Sequence, residues 1–164
     1  MTGNVEKIVS CITLGADVEA VRGQNETTPL LYTIQGLHYE AFKLLLDSGA
    51  DANKPDRSLR TPLHYSLLTM GSSKSAWRFA CDLVLRPGVN INARDNCART
   101  PLMCAAIVNA AGFVELLAVQ GADINARNAQ GRSAMDFANF MERPAVIQKL
   151  RNIESGLNAE GEVM

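Results

Sequence analysis

The sequence repeats itself at a nearly constant interval, and this repetition restricts the possible folds more than any other feature. A short motif, Thr-Pro-Leu or a close variant, recurs in steps of 33, 39 and 33 residues, beginning at Thr28, Thr61, Thr100 and Ser133. A second marker, Gly-Ala-Asp or Gly-Val-Asn, follows the same interval from Gly15, Gly49, Gly88 and Gly121. Since one such unit cannot bury an apolar face alone, the copies are expected to stack into a solenoid.

The second copy shows how each unit is built. Thr28 can cap a helix, and Pro29 suits its first turn. The run "YEAFKLLLDSG" places apolar side chains at i, i+3 and i+4 and ends in Gly49, which suits a left-handed cap. The polar run "ADANKPDRSLR" that follows is rich in turn-forming residues. The pattern therefore predicts two helices and a projecting loop in every unit.

These motifs resemble the ankyrin repeat, and the resemblance covers residues 1–153. It implies an all-α repeat solenoid of helix-turn-helix units with β-hairpin loops. The predicted units are a partial one at 1–24, then 25–57, 58–96, 97–129 and a C-terminal capping unit at 130–153. The remaining segment, 154–164, lacks periodicity and is expected to be mobile.

The turn between the two helices departs from the family pattern. The family usually has glycine there, whereas this chain has Leu37, Asn109 and Glu142. Of these three residues, only Asn109 is comfortable with a positive φ angle. We therefore expect the turn geometry to differ at Leu37.

The N-terminal stretch "GNVEKIVSCITLGAD" matches the second helix of a unit, with no first helix before it. Two interpretations stay open. Either the chain is a fragment of a longer protein, whose remainder would be its partner, or the solenoid begins with a half-unit whose apolar face is partly open.

Composition excludes several classes of function. Sixteen basic and seventeen acidic residues give a net charge of -1, so nucleic acid is not an expected partner. No apolar stretch is long enough to insert into a membrane. Four cysteines without a Cys-x-x-Cys pair predict reduced thiols in an intracellular protein, cytoplasmic or nuclear, and no metal site or cofactor.

His64 is the fourth residue of the repeated motif, and it lies near Trp77 and Cys81 in the sequence. Its counterparts in the other units are Leu31, Met103 and Asp136, a variety that no catalytic role would tolerate. The resemblance implies instead that the imidazole braces neighbouring loops. Cys81 falls at a packing position. We therefore expect no enzyme, with a hydrolase as a remote alternative.

The third unit carries six additional residues within "TMGSSKSAWRF", around the turn between its helices. Three interpretations stay open for this insert. It is a tolerated surface loop, a contact site anchored by Trp77, or the start of a longer second helix on which Trp77 folds back.

The resemblance implies that partners bind the concave surface, which is made by the hairpin tips and the outward face of the first helices. Mapped onto this chain, the candidate binding residues are Tyr32, Arg57, Arg60, Tyr65, Leu68, Trp77, Arg99, Ile107, Val108, Arg132, Phe140 and Met141. An arginine row beside an apolar trough suits an acidic, partly hydrophobic segment of another protein. Alternatively, the arginines pair locally with Asp56 and Asp95.

The predicted function is protein–protein interaction without catalysis, as an adaptor, scaffold or targeting domain. The alternative is an inhibitor or regulator of a kinase or a transcription factor. The resemblance also makes Asn53 and Asn125 candidate sites of hydroxylation, because each follows a Gly-Ala-Asp motif.

Overall fold

A computed structural model describes residues 3–71 and 74–156. In this part of the chain, nine α-helices accompany one 3₁₀ helix at Lys74–Ala76. The helices are α1 Gly3–Thr13, α2 Pro29–Gln35, α3 Tyr39–Asp47, α4 Pro62–Met70, α5 Trp77–Val84, α6 Pro101–Ile107, α7 Ala111–Val119, α8 Ala134–Phe140 and α9 Pro144–Glu154. They form the predicted all-α repeat solenoid.

The helices stack in two layers. The first helices form one layer, in which α2 packs on α4, α4 on α6 and α6 on α8. The second helices form the other layer, where α1 contacts α3, α3 contacts α5, and α7 contacts α9. An apolar residue of each repeated motif is at most 1% exposed. It lies two places after the threonine or one place after Ser133, at Leu30, Leu63, Leu102 and Ala134. The repeated motif therefore supplies the core between successive units.

The repeated threonine or serine is the N-cap residue of each first helix. Thr28, Thr100 and Ser133 accept a hydrogen bond from the backbone N–H three residues later. In the last unit the Asp136 carboxylate also accepts from the Ser133 backbone N–H, so the two residues cap each other. The sequence prediction for the helix starts is confirmed.

The expectation of a different turn at Leu37 is wrong. Leu37, Asn109 and Glu142 have φ angles of 56°, 61° and 52°, so all three turns share one left-handed conformation. In each turn the next N–H reaches back to the first helix, as His38 N does to the Thr33 carbonyl at 2.8 Å. Packing of the two helices therefore imposes the conformation on leucine despite its steric cost.

The predicted hairpins are tight turns. The only bridge between extended residues in the described ranges joins Arg22 and Thr27. Backbone hydrogen bonds join the turns of successive units. Asn96 N donates to Ser58 O at 3.0 Å, and Ala129 N donates to Cys97 O at 2.9 Å. This linkage sets successive loops in one row along the solenoid.

The insert of the third unit contains the 3₁₀ helix and leads into α5, whose first residue is Trp77. Residues 72 and 73 lie outside the described ranges. At the other end of the chain α9 runs to Glu154, so the first residue of the tail predicted at 154–164 is helical, and residues from 157 onward lie outside the described ranges. No described helix has the length and apolarity required to span a bilayer.

Candidate protein-binding surface

The arginine row forms at one position of three successive turns. Arg60, Arg99 and Arg132 each donate their backbone N–H to a side-chain oxygen four residues earlier, on Asp56, Asp95 and Asn128 respectively. Each of these acceptors also binds the N–H two residues after itself. The shared turn geometry thus places the three arginines in register.

Arg99 is paired within its own turn. Its guanidinium contacts the Asp95 carboxylate through Nη2 at 2.7 Å and Nε at 2.9 Å. Burial raises the pKa of Asp95, but the hydrogen bonds from Arg99 outweigh this effect and hold the pKa below its ordinary value. For Arg99, the alternative of local pairing is therefore confirmed.

The aspartate in the turn of Arg60 is hydrogen-bonded to a tyrosine instead of to the arginine side chain. The Asp56 carboxylate, which is 5% exposed, accepts a 2.8 Å hydrogen bond from the Tyr65 hydroxyl. Burial and then this hydrogen bond raise the pKa of Tyr65, and the Arg60 charge opposes them. The Nε atom of Arg60 is buried without a hydrogen-bond partner. Tyr65 is therefore hydrogen-bonded within the turn, beside the Arg60 guanidinium.

Arg132 has no carboxylate in its turn, because Asn128 replaces the aspartate. Its guanidinium carbon lies 5.6 Å from the centre of the Phe140 ring. Phe140 is 73% exposed, and no ion pair of Arg132 occurs among the described residues. An exposed cation thus lies over an exposed aromatic ring at this end of the row.

The apolar trough is only partly open. Ile107, Val108 and Leu68 are half-buried. Val108 packs beneath Gly71, where an added Cβ would lie 3.3 Å from its Cγ1 atom. By contrast, the exposed apolar residues of this set are Tyr32, Trp77, Phe140 and Met141. Contact between units therefore uses part of the surface that the sequence assigned to a partner.

The sequence interpretation missed two arginines. Arg94 and Arg127 precede Asp95 and Asn128 directly, and both are exposed. The Arg94 guanidinium donates to the Arg127 carbonyl, and that of Arg127 donates to the Gly131 carbonyl at 2.7 Å. Both arginines directly precede the aspartate or asparagine of their turn, and this shared position in the sequence could have identified them as candidate binding residues.

Charges are unequally exposed along this row of turns. Arg57, Arg94, Arg127 and Arg132 are exposed, whereas Asp56 and Asp95 are 5% and 4% exposed. One exposed carboxylate, Asp136 in α8, lies 3.5 Å from the Nη1 atom of Arg127. The row therefore presents guanidinium groups to the solvent, although the whole chain carries a net charge of -1. Such an edge attracts carboxylates.

His64 and Cys104, the two side chains considered for a catalytic role, are both buried. His64 is 0% exposed, and burial lowers its pKa. Burial also raises the pKa of Cys104 to about 12, so its thiol is not a nucleophile at neutral pH. No group of three or more potential metal ligands occurs among residues 3–71 and 74–156.

The two candidate hydroxylation sites differ in structure. The Asn53 amide donates to Gly88 O at 2.9 Å and accepts from Asn90 N at 2.7 Å, which ties it to the next unit. Asn92, which the sequence interpretation overlooked, makes the same two bonds to Gly121 and Asp123. Asn125 follows the last marker and is exposed. Hydroxylation stays a prediction.

The fold defines the class of this protein, a helical repeat solenoid, and comparison with known proteins identifies its family. One model, "Ankyrin repeats (3 copies)", matches residues 1–79, and another, "Ankyrin repeats (many copies)", matches residues 83–138. The chain belongs to the ankyrin repeat family, as its motifs indicated.

Its relatives include much longer proteins. Neurogenic locus notch homolog protein 1 of Xenopus tropicalis is 31% identical over 90% of this chain, which spans 6% of that protein. Neurogenic locus Notch protein of Drosophila melanogaster is 36% identical over 67% of the chain, which spans 4% of its length. Putative ankyrin repeat protein YahD of Escherichia coli is 23% identical over 83% of this chain and 84% of its own length.

Proposed function

We propose that this protein is a non-catalytic interaction module that binds an acidic, partly hydrophobic segment of another protein along its row of turns. The family supports protein interaction in general. The observation that carries the finer proposal is the Arg132–Phe140 pair, in which an exposed guanidinium lies over an exposed ring and forms no ion pair with a described residue. Here an acidic side chain would meet an unpaired cation, and its apolar neighbour would meet the ring.

The rest of the row supports the same class of partner. Arg57 and Arg94 extend the positive edge over two further turns, while Arg127 is paired with Asp136 at 3.5 Å. Met141 continues the apolar surface beside Phe140. Because the turns are linked through backbone hydrogen bonds, this surface is formed before binding and loses little entropy when a partner docks. An intracellular location, cytoplasmic or nuclear, fits the four free cysteines of the described residues.

The role in a cell would be that of an adaptor, scaffold or targeting domain. An inhibitor of a kinase or transcription factor would use the same surface, and it would differ in the identity of the partner alone. The nature of the recognised segment is therefore the first property to test.

The test is selection from a displayed library of random peptides, followed by affinity measurement with fluorescence anisotropy. We expect selected peptides to combine Asp or Glu with Leu or Phe. Arg132→Ala and Phe140→Ala should each weaken binding about tenfold, because each removes one contact of the pair. Arg151→Ala and Val119→Ala remove an exposed arginine and an exposed apolar side chain from the second-helix layer, so they should leave binding unchanged.

Selection of basic or purely apolar peptides would contradict the proposal. So would equal binding by all four variants, once circular dichroism has shown that they are folded. In that case the exposed Trp77 at the start of α5 would be the next surface to substitute.

A further inference from the structure

The last second helix ends on the same side of the solenoid as the row of turns. α8 begins two residues after Arg132, and α9 returns beside it in the opposite direction after the tight turn at Glu142. With 7 and 11 residues, α8 and α9 are about 10 Å and about 16 Å long at a rise of about 1.5 Å per residue. The end of α9 therefore reaches past the start of α8, to the level of Arg132.

The chain leaves α9 in the way that it leaves earlier second helices. Gly156 has a φ angle of 71° and donates its N–H to the carbonyl three residues earlier at 3.1 Å. Gly49 and Gly121, with φ angles of 91° and 86°, make the same hydrogen bond after α3 and α7. Seven residues after these two glycines, the chain has already arrived at the row of turns, at Asp56 and Asn128. A similar length of chain after α9 is therefore enough to reach the row.

The segment that follows Gly156, residues 157–164, has the chemistry that the proposed function assigns to a partner. It combines two acidic and three large apolar side chains and contains no lysine or arginine. These side chains are Leu157, Glu160, Glu162, Val163 and Met164. Eight residues extend over about 26 Å at about 3.3 Å per residue, and two packed helices lie only about 10 Å apart. The segment is therefore long enough to cross from the second-helix layer to the face of α8.

The part of the row beside the end of α9 offers an unpaired cation next to an apolar ring. Arg132 forms no ion pair with a described residue, and it lies over the exposed ring of Phe140. The nearby carboxylate of Asp136 pairs with Arg127 at 3.5 Å and accepts from Ser133 N at 2.8 Å. Because other groups compensate the charge of Asp136, Arg132 is able to pair with a further carboxylate.

We propose that residues 157–164 fold back onto the Arg132–Phe140 pair and occupy it when no partner is bound. One of the two glutamates pairs with the Arg132 guanidinium, and an apolar side chain of the segment contacts the Phe140 ring. This inference rests on the proposed function, because the segment uses the contacts that a partner would use. Since the segment belongs to the same chain, its effective concentration at the pair is high, and a partner has to displace it.

Nitrogen-15 relaxation of the full chain without any ligand tests the contact directly. In wild type, the heteronuclear NOE of the backbone amides in residues 157–164 should approach that of the helices, because a bound segment has little fast motion. Arg132→Ala and Phe140→Ala should each lower this NOE. The matched control is Arg151→Ala, which removes an exposed arginine from α9, closer to the segment in sequence. This control should keep the wild-type NOE.

Neutralisation of the segment tests the same contact from its other side. Glu160→Gln/Glu162→Gln should release the segment, so the affinity for a selected acidic peptide should rise about threefold to tenfold as the internal competitor is lost. The matched control is Glu40→Gln/Asp47→Asn, which removes two exposed carboxylates from α3 and changes the net charge equally. Its affinity for the peptide should stay close to that of wild type.

Three results would overturn the proposal. The first is a low NOE for residues 157–164 in wild type, which is the behaviour of a mobile tail. The second is an NOE that neither Arg132→Ala nor Phe140→Ala changes, and the third is a peptide affinity that Glu160→Gln/Glu162→Gln leaves unchanged. The NOE needs no peptide, so the segment can prove unbound while selected peptides still bind at Arg132. Conversely, selection of peptides without acidic residues would contradict the proposed function whatever the NOE shows.

Discussion

His64 is fully buried, and its ring joins two neighbouring units. The Nδ1 atom accepts from the Thr61 backbone N–H at 3.3 Å, and Nε2 lies 3.0 Å from the Arg99 carbonyl oxygen of the next turn. Since the carbonyl can only accept, the proton is on Nε2 and the ring is neutral. One side chain therefore caps its own helix and holds the adjacent loop.

Replacement of His64 by leucine, the residue at the equivalent position 31, should lower the free energy of unfolding by about 1 to 3 kcal/mol at pH 7.5. The Arg99 carbonyl would lose its partner, and the capping contact with Thr61 would disappear. Urea unfolding of both proteins measures the difference. A variant as stable as wild type would show that water replaces the imidazole.

The same pair of proteins should differ in pH dependence. Because burial lowers the pKa of folded His64 below 6.5, the unfolded chain binds the proton first as the pH falls. The stability that neutral, buried His64 contributes is fully present above its unfolded pKa of 6.5. It is lost as the pH falls towards the pKa of His64 in the folded protein. The stability gap between wild type and His64→Leu should therefore narrow on going from pH 7.5 to pH 5.

At the scale of one element, the turn between the helices is left-handed in the three units without an insert, although its residue is leucine, asparagine or glutamate. Leucine at φ 56° carries a steric cost that glycine avoids, whereas asparagine at φ 61° carries less of it. Leu37→Gly should therefore raise the free energy of unfolding by about 0.5 to 1 kcal/mol, after the larger entropy of the unfolded glycine chain is subtracted. Asn109→Gly is the matched control, and its free energy of unfolding should rise by less.

Thermal unfolding of the two variants, followed by circular dichroism, checks this order. A loss of stability in Leu37→Gly would mean that the leucine side chain, which is 38% exposed, contributes more by packing than its backbone costs.

At the scale of the whole molecule, stability depends on contacts between neighbouring units. Asn92 crosses one such boundary with two side-chain hydrogen bonds, to Gly121 O and Asp123 N. Asn125 occupies the same motif position in the next unit but makes no such bond to a following unit among the described residues. Asn92→Ala should therefore lower the free energy of unfolding by about 1 to 2 kcal/mol, and Asn125→Ala by less than about 0.5 kcal/mol. Equal losses in a urea titration would contradict this assignment.

The sequence alone determined the features that depend on nearby residues or on the repeat interval. Thr28, Thr100 and Ser133 cap helices where the motif placed them, because a cap needs only a side-chain oxygen and the next turn of backbone. The solenoid follows from the interval, since similar short units can bury their apolar faces only by stacking. The scaffolding role of His64 followed from its changing counterparts.

Only the tertiary structure decided which parts of the predicted surface are free. Val108 and Phe140 follow similar motifs, yet one packs beneath Gly71 and the other stands 73% exposed. Arg99 and Arg132 share a turn position, but one is paired with Asp95 and the other lies over a ring. The physical reason is that exposure and pairing depend on side chains brought near by the next unit in the stack. The left-handed turn at Leu37 has the same origin, because packing of the two helices outweighed the preference of one residue.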